Sequence, residues 1–282
     1  MIPDTALSIA KTDFAETVRS RFLWGAVVLV SALAVLDWFQ TSSALGTVHD
    51  PWSLLLNFFQ FFTALIAIGL GYAAVVGDRS SGRARLLLGS GGSRADLLVG
   101  KFCSRFAILV IALAVPYALV SGIVLATEET SLANFVGATV GLLAYAGTWL
   151  GLVVGISAMV STEARALGIA GGLFAVFVFF WDWVILPAVA YVLTGSTDLG
   201  VEYTAELTTV SEPTWLVYAV RASPFHAFEG LSWYLPTTFE SIVGGDGVGV
   251  LWDPNMIGFV TFAAFAGVAL IGGYLRFRRV DF

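Results

Sequence analysis

Residues 77–105 read GDRSSGRARLLLGSGGSRADLLVGKFCSR, a basic, glycine-rich connector between two long apolar runs. It holds six of the fourteen Lys and Arg residues and two acids, Asp78 and Asp96, so it carries formal charge +4 within a chain of −6. Short loops rich in Lys and Arg stay on the cytoplasmic face of a membrane, so this connector predicts the orientation of the chain. Arg83 to Leu88 predicts a short helix, two arginines followed by Leu86, Leu87 and Leu88, which Gly89, Gly91 and Gly92 then break. Ser93-Arg94-Ala95-Asp96 has capping-box spacing, the Ser hydroxyl and the Asp carboxylate each satisfying a free N–H at a helix start. A new helix is therefore expected from Ser93 into the next span. A short helix with exposed leucines between two spans suits the docking of a soluble partner; the plainer alternative is a solvated basic loop that sets topology.

At 282 residues, with 58% hydrophobic and 12% charged residues, the composition excludes a soluble globular domain. About 20 apolar residues carry a helix across roughly 30 Å of hydrocarbon, so six spans use fewer than half of the residues and leave room for one large loop. Cys103 is the single cysteine, which rules out a disulfide within the chain and an all-cysteine metal site. Two lysines against twelve arginines and twenty acids point to a salt-adapted source.

Residues 1–21 contain an expected amphipathic helix lying along the membrane surface. Leu7, Ala10, Phe14, Val18 and Phe22 share its apolar face, and Lys11, Thr12, Asp13, Glu16 and Arg19 are assigned to the polar remainder. Spans are expected at about 22–39, 54–76, 102–126 (with Pro116 as a bend), 134–160, 167–191 and 256–275. Gly147, Gly151 and Gly155 form a small-residue stripe that lets another helix approach. Residues 194–255 make an acidic outer segment with Asp198, Glu202, Glu206, Glu212, Glu229, Glu240, Asp246 and Asp253. Its apolar pieces at 215–220 and 225–235 are too short to span.

With both termini inside, only Arg221 among the fourteen basic residues falls outside, and every short loop satisfies the positive-inside rule. Two acids fall within spans at a similar depth, Asp37 in the first and Asp182, between Trp181 and Trp183, in the fifth. They read as solvated acids at interfacial helix ends, or else as members of a translocation path. Val99-Gly100-Lys101-Phe102 is not a P-loop, because Ala95 and Phe102 stand where Gly and Ser or Thr are required. Gly230-Leu231-Ser232-Trp233-Tyr234 lacks the final Gly of a nucleophile elbow. His49 and His226 both fall in outer segments, and His226 with Glu229 supplies only two ligands at helical spacing.

At Asp78, Arg79, Gly82, Leu86 to Leu88, Ser93-Arg94 and Gly100-Lys101 the chain resembles the permease subunits of ABC-2 type ABC transporters, including the NosY-like permeases. Asp78 stands where Glu is usual in that motif, and Gly91 or Gly92 where Pro is usual. The resemblance implies an all-α integral membrane protein, 1–282 as a single permease domain, with six spans, both termini in the cytoplasm and a coupling loop at 77–101. It also implies short re-entrant or interfacial helices between spans five and six. On this reading the chain lies in the cell membrane as a homodimer or heterodimer, binds no cofactor or nucleic acid, and is not an enzyme. A separate ATPase subunit binds ATP and engages Asp78, Arg79, Gly82, Arg83, Arg85, Leu86, Leu87, Leu88, Ser93, Arg94 and Lys101. The alternatives are a membrane-embedded enzyme, which the isolated chain would reveal by activity on a lipid or peptide, and a secondary transporter, which would need no ATPase.

Overall fold

A backbone in hydrocarbon has no water to bond with, so each span must satisfy its own N–H and C=O groups, which a helix does. The computed structural model describes residues 4–45, 50–89, 91–199, 213–245 and 256–279, and every regular element among them is helical. In order these are α1 (Asp4–Thr17), α2 (Arg21–Leu45), α3 (Pro51–Gly71), α4 (Val76–Ser80), α5 (Arg83–Gly89), α6 (Arg94–Thr127), α7 (Leu132–Met159) and α8 (Glu163–Ala175). A π-helical segment (Val176–Ile185) follows, then α9 (Leu186–Thr194), α10 (Thr214–Arg221), α11 (Pro224–Gly244) and α12 (Ile257–Arg278). Six stretches are long and apolar enough to cross a membrane: Leu23–Leu45, Pro51–Ser80, Arg94–Thr127, Leu132–Met159, Glu163–Thr194 and Ile257–Arg278. The six expected spans are thus present, the first reaching six residues further than 22–39 and the fifth starting at Glu163. Helix α6 runs on through Pro116. His49 and, in the acidic segment, Glu202, Glu206, Glu212, Asp246 and Asp253 lie outside the described residues.

Short polar side chains start the helices. Asp50 accepts a hydrogen bond from Ser53 N, Ser131 from Asn134 N and Thr162 from Arg165 N, each about one turn into its helix. Between α3 and α4 the chain turns, and the freed N–H groups of Val75 and Val76 donate to the buried Ser157 hydroxyl at 3.1 and 3.2 Å. The π segment is a departure from the plain span expected at 167–191. It ends against Pro187, which has no N–H to give to the preceding turn; Leu186 N instead reaches back five residues to Trp181 O.

Helix α7 is the axis of the bundle and packs against α12, α11, α3 and α6. Lipid tails are as apolar as leucine, so spans associate through close van der Waals contact, which small residues permit. A Cβ on Gly151 would sit 3.1 Å from Ala266 Cβ, and one on Gly155 would overlap the Ala269 backbone. Gly147 instead faces the Phe106 ring of α6, so the stripe serves two neighbours. Towards the start of α7, a Cβ on Gly137 would meet Leu235 O and one on Gly141 would meet the Leu235 side chain, which seats α11.

Gly155→Val should therefore push α12 off α7 and cost about 1–3 kcal/mol or more. Gly122→Val, where a Cβ meets nothing within 4 Å, should cost little. Thermal unfolding of both variants in the same detergent checks the contrast.

Candidate functional site

The loop between the second and third spans begins at Asp78 and Arg79, turns at Gly82, forms α5, and turns again at Gly91 and Gly92 before α6. Gly82 and Gly91 have φ of +76° and +97°, a conformation that side chains disfavour. Gly92 N donates to Leu87 O at 3.3 Å and closes the end of α5. At the start of α6 the expected capping box is complete. Ser93 Oγ accepts from Asp96 N at 3.0 Å, and Asp96 Oδ2 accepts from Ser93 N at 2.9 Å.

Successive residues on a helix point about 100° apart, so three adjacent leucines cannot share one face. Leu86 projects outwards at 76% exposure, whereas Leu87 packs against the core and Leu88 is half-buried. This corrects the expectation of a common Leu86-Leu87-Leu88 surface. Arg83 and Arg85 are exposed beside Leu86, and Arg83 pairs with Glu16 of α1 at 2.8 Å.

The remaining basic residues of the loop turn inwards. Arg79 Nη1 donates to Val160 O at 2.8 Å, at the end of α7. Arg94 Nη1 donates to Phe277 O at 2.9 Å and also to Arg278 O, at the end of α12. Each guanidinium thus meets carbonyls that a helix end leaves unpaired, and both lie near the Phe277 ring, at 6.0 and 5.8 Å. Lys101 is only 3% exposed, and its ammonium sits 2.8 Å from Asp13 Oδ1 and 2.7 Å from Asp78 Oδ2. Asp13 also accepts from Ser104 at 2.7 Å and pairs with Arg105 at 2.9 Å.

Helical spacing assigns Asp13 to the polar remainder of the N-terminal helix, and the structure corrects this. Asp13 is buried with Ala6 and Ile9 on the face packed against α6, while Leu7 of the expected apolar face is exposed. The close approach requires Gly100, where a Cβ would meet Ala6 O at 2.8 Å. The sequence signal available was an acid four and seven residues from apolar positions on the same helix face, Ile9 and Ala6, opposite a lysine of the loop motif. A cavity of about 100 Å³ lies at the junction, lined among others by Asp13, Glu16, Asp78, Arg83, Leu87 and Lys101. Burial alone would raise the Asp13 carboxyl, but Arg105 and Lys101, with hydrogen bonds from Lys101 and Ser104, outweigh it and hold it below the usual value of 3.8.

The two intramembrane acids are not brought together with this site. Asp37 is half-buried on α2 and makes no ion pair or hydrogen bond among the described residues. Asp182, in the π segment, meets His226 Nε2 of α11 at 3.1 Å, so it is not simply a solvated helix end. His226 therefore finds Asp182, and no group of three or more His, Cys, Asp or Glu among the described residues is placed to hold a metal.

Comparison with known proteins gives a consistent picture. The family described as ABC-2 family transporter protein matches residues 7–282. A protein of Pseudomonas aeruginosa named probable ABC transporter permease protein NosY is 30% identical over 189 residues, covering 64% of this chain and 69% of that protein. A protein of the same name from Stutzerimonas stutzeri is 27% identical over 289 residues, covering 96% of this chain and 97% of that protein.

Removing one partner of a buried ion pair typically costs about 3–5 kcal/mol. Lys101→Met leaves Asp13 and Asp78 facing each other, whereas Asp13→Asn leaves the Lys101–Asp78 pair intact, so the first should destabilise the loop end more. Because the Asp13 value is lowered on folding, its contribution is complete above about pH 3.8 and is lost only as the pH falls through the lowered value. Hydrogen exchange of α1 amides should accordingly be unchanged by the carboxylate between about pH 5 and pH 8, and faster in Lys101→Met than in Asp13→Asn.

Proposed function

The chain belongs to the ABC-2 family of transporter proteins, and on that premise we propose how it works as the membrane-spanning permease subunit of an ABC transporter. A separate ATPase subunit supplies ATP hydrolysis, and residues 77–101 receive it at the cytoplasmic side. Two permease subunits, identical or homologous, provide the translocation path across the cell membrane, with 1–282 acting as one permease domain and no bound cofactor of its own. Helix α1 lies at the inner surface, and α10 and α11 sit towards the outside as short interfacial or re-entrant helices.

The observation that carries the coupling role is Leu86. A large apolar side chain 76% exposed on a seven-residue helix, flanked by exposed Arg83 and Arg85, has the form of an anchor that fills a partner's groove while the cations meet acids at its rim. The other residues of the motif act behind it. Gly82 and Gly91 let the loop present α5, Leu87 seats it with Leu88 half-buried beside it, and Asp78, Arg79, Ser93, Arg94 and Lys101 fix it to α6, α7, α12 and α1. A push on Leu86 then reaches three spans through short, rigid connections.

Leu86→Ser should leave the permease folded, because the side chain touches little within it, yet weaken association with the ATPase. Full burial of a leucine contributes about 1.5–3 kcal/mol, which is roughly tenfold to more than a hundredfold in affinity. Co-purification of the ATPase and ATP-driven transport are the measurements, and both remaining at wild-type level would reduce the loop to a topology signal. Orientation is tested separately: in a Cys103→Ser background, Ser81→Cys and Ser196→Cys should react with an impermeant thiol reagent from opposite sides of the membrane.

A further inference from the structure

At the end of the bundle remote from α5, a charged cluster joins three elements, the π segment, α10 and α11. Arg221, at the end of α10, is completely buried; its Nη1 donates to His226 O at 2.7 Å and lies 3.9 Å from Glu229 Oε2. The backbone makes room for it at Gly230, where a Cβ would lie 2.6 Å from Arg221 Nε. His226 is 5% exposed and turns Nε2 to Asp182 of the π segment, while its Nδ1 has no partner among the described residues. The second oxygen of Asp182 is likewise buried without a partner there. Among the described residues the other elements packed on α11 add no charge: α3 offers Gln60, which donates to Phe225 O at 2.9 Å, α7 offers Tyr145, and α12 offers Thr261, which donates to Arg221 O at 2.9 Å.

Glu229 thus faces the Arg221 guanidinium, while Asp182 meets His226 one turn earlier on α11, so the cluster as described holds two carboxylates, one guanidinium and one histidine. Buried charge is tolerated where it is balanced, so this arrangement calls for one more positive charge. We propose that Asp182, His226 and Glu229 form a proton-binding site, and that the bound proton fastens α11 to the fifth span. The absence of a three-ligand group among the described residues argues for a proton over a metal ion. Asp182 and Glu229 keep 35% and 26% of their side chains exposed, so water can deliver the proton. Burial pushes the Glu229 carboxyl up, against the pull of His226 and Arg221. The proton belongs to the group as a whole, since closely interacting sites titrate together. Loss of it leaves an unbalanced negative charge and loosens α11 from the π segment.

The site rests on its own contacts and not on the coupling role of α5, and the test separates the two. In the intact transporter complex in membrane vesicles, with Cys103→Ser, a thiol introduced by Ser232→Cys reports on α11, because Ser232 is buried on that helix. Ser196→Cys, at an exposed position, identifies the side from which the reagent acts and corrects for the thiol's own chemistry. The ratio of the two labelling rates should rise roughly tenfold as the pH is taken from about 5 to about 8 and the cluster gives up its proton. Asp182→Asn and Glu229→Gln should each abolish that rise and keep the ratio low at alkaline pH, since removing a negative charge removes the need for the proton. A structural hydrogen bond alone would give the opposite, a looser helix in Asp182→Asn. His226→Gln should move the rise to lower pH. A pH-independent ratio in the unsubstituted cluster, or an Asp182→Asn variant with the same profile or a higher ratio at all pH values, would overturn the proposal.

Discussion

A chain in hydrocarbon gains almost nothing by hiding one apolar side chain behind another, so this fold depends on how closely its backbones can approach and on where its few polar groups find partners. Helix α7 meets the first condition: Gly137, Gly141, Gly151 and Gly155 offer no side chain of their own, so α11 and α12 lie close against it. The second is met at the two ends of the bundle. At one, Lys101 sits between Asp13 and Asp78, and at the other Arg221 is enclosed by α11 and α12. The middle is held by shape and the ends by charge.

This division explains the features of the loop end. A lysine taken out of water needs more than one carboxylate to compensate for lost hydration, and the two it has come from opposite sides of the loop, one from α1 and one from the start of α4. Helix α1, only 14 residues long, would be marginal by itself. Its place is fixed because Asp13 accepts from α6 at three side chains, Lys101, Ser104 and Arg105.

How much could be read beforehand follows from the range of each interaction. The Ser93–Asp96 box, the turn glycines and the six spans are local, set by residues within one or two turns, and the sequence displays them. The Asp13–Lys101 pair joins residues 88 apart, and helical spacing on α1 alone suggested the wrong exposed face because Asp13 counts as polar whether or not a cation awaits it. Likewise Asp182 and His226 are 44 residues apart, and each looked like an interfacial residue until both were seen on packed elements. The leucine triplet failed for a different reason: composition showed that it was apolar, and only the rotation of the helix decided which of the three would be offered to solvent. The π segment had Pro187 as its one visible trace.

Arg79 and Arg94 stand on either side of α5, and each grips the last carbonyls of a different core helix, with Phe277 beneath both. Surface loops ordinarily absorb inserted residues at small cost, because lengthening a flexible connection adds little entropy. Here the strand of chain between the two arginines is anchored at both ends and behaves as a strap of set length. Slack introduced between them would not unfold the bundle, but it would let α5 shift without moving the helices it is tied to, so the number of residues from 79 to 94 is as much a part of the machinery as their identity.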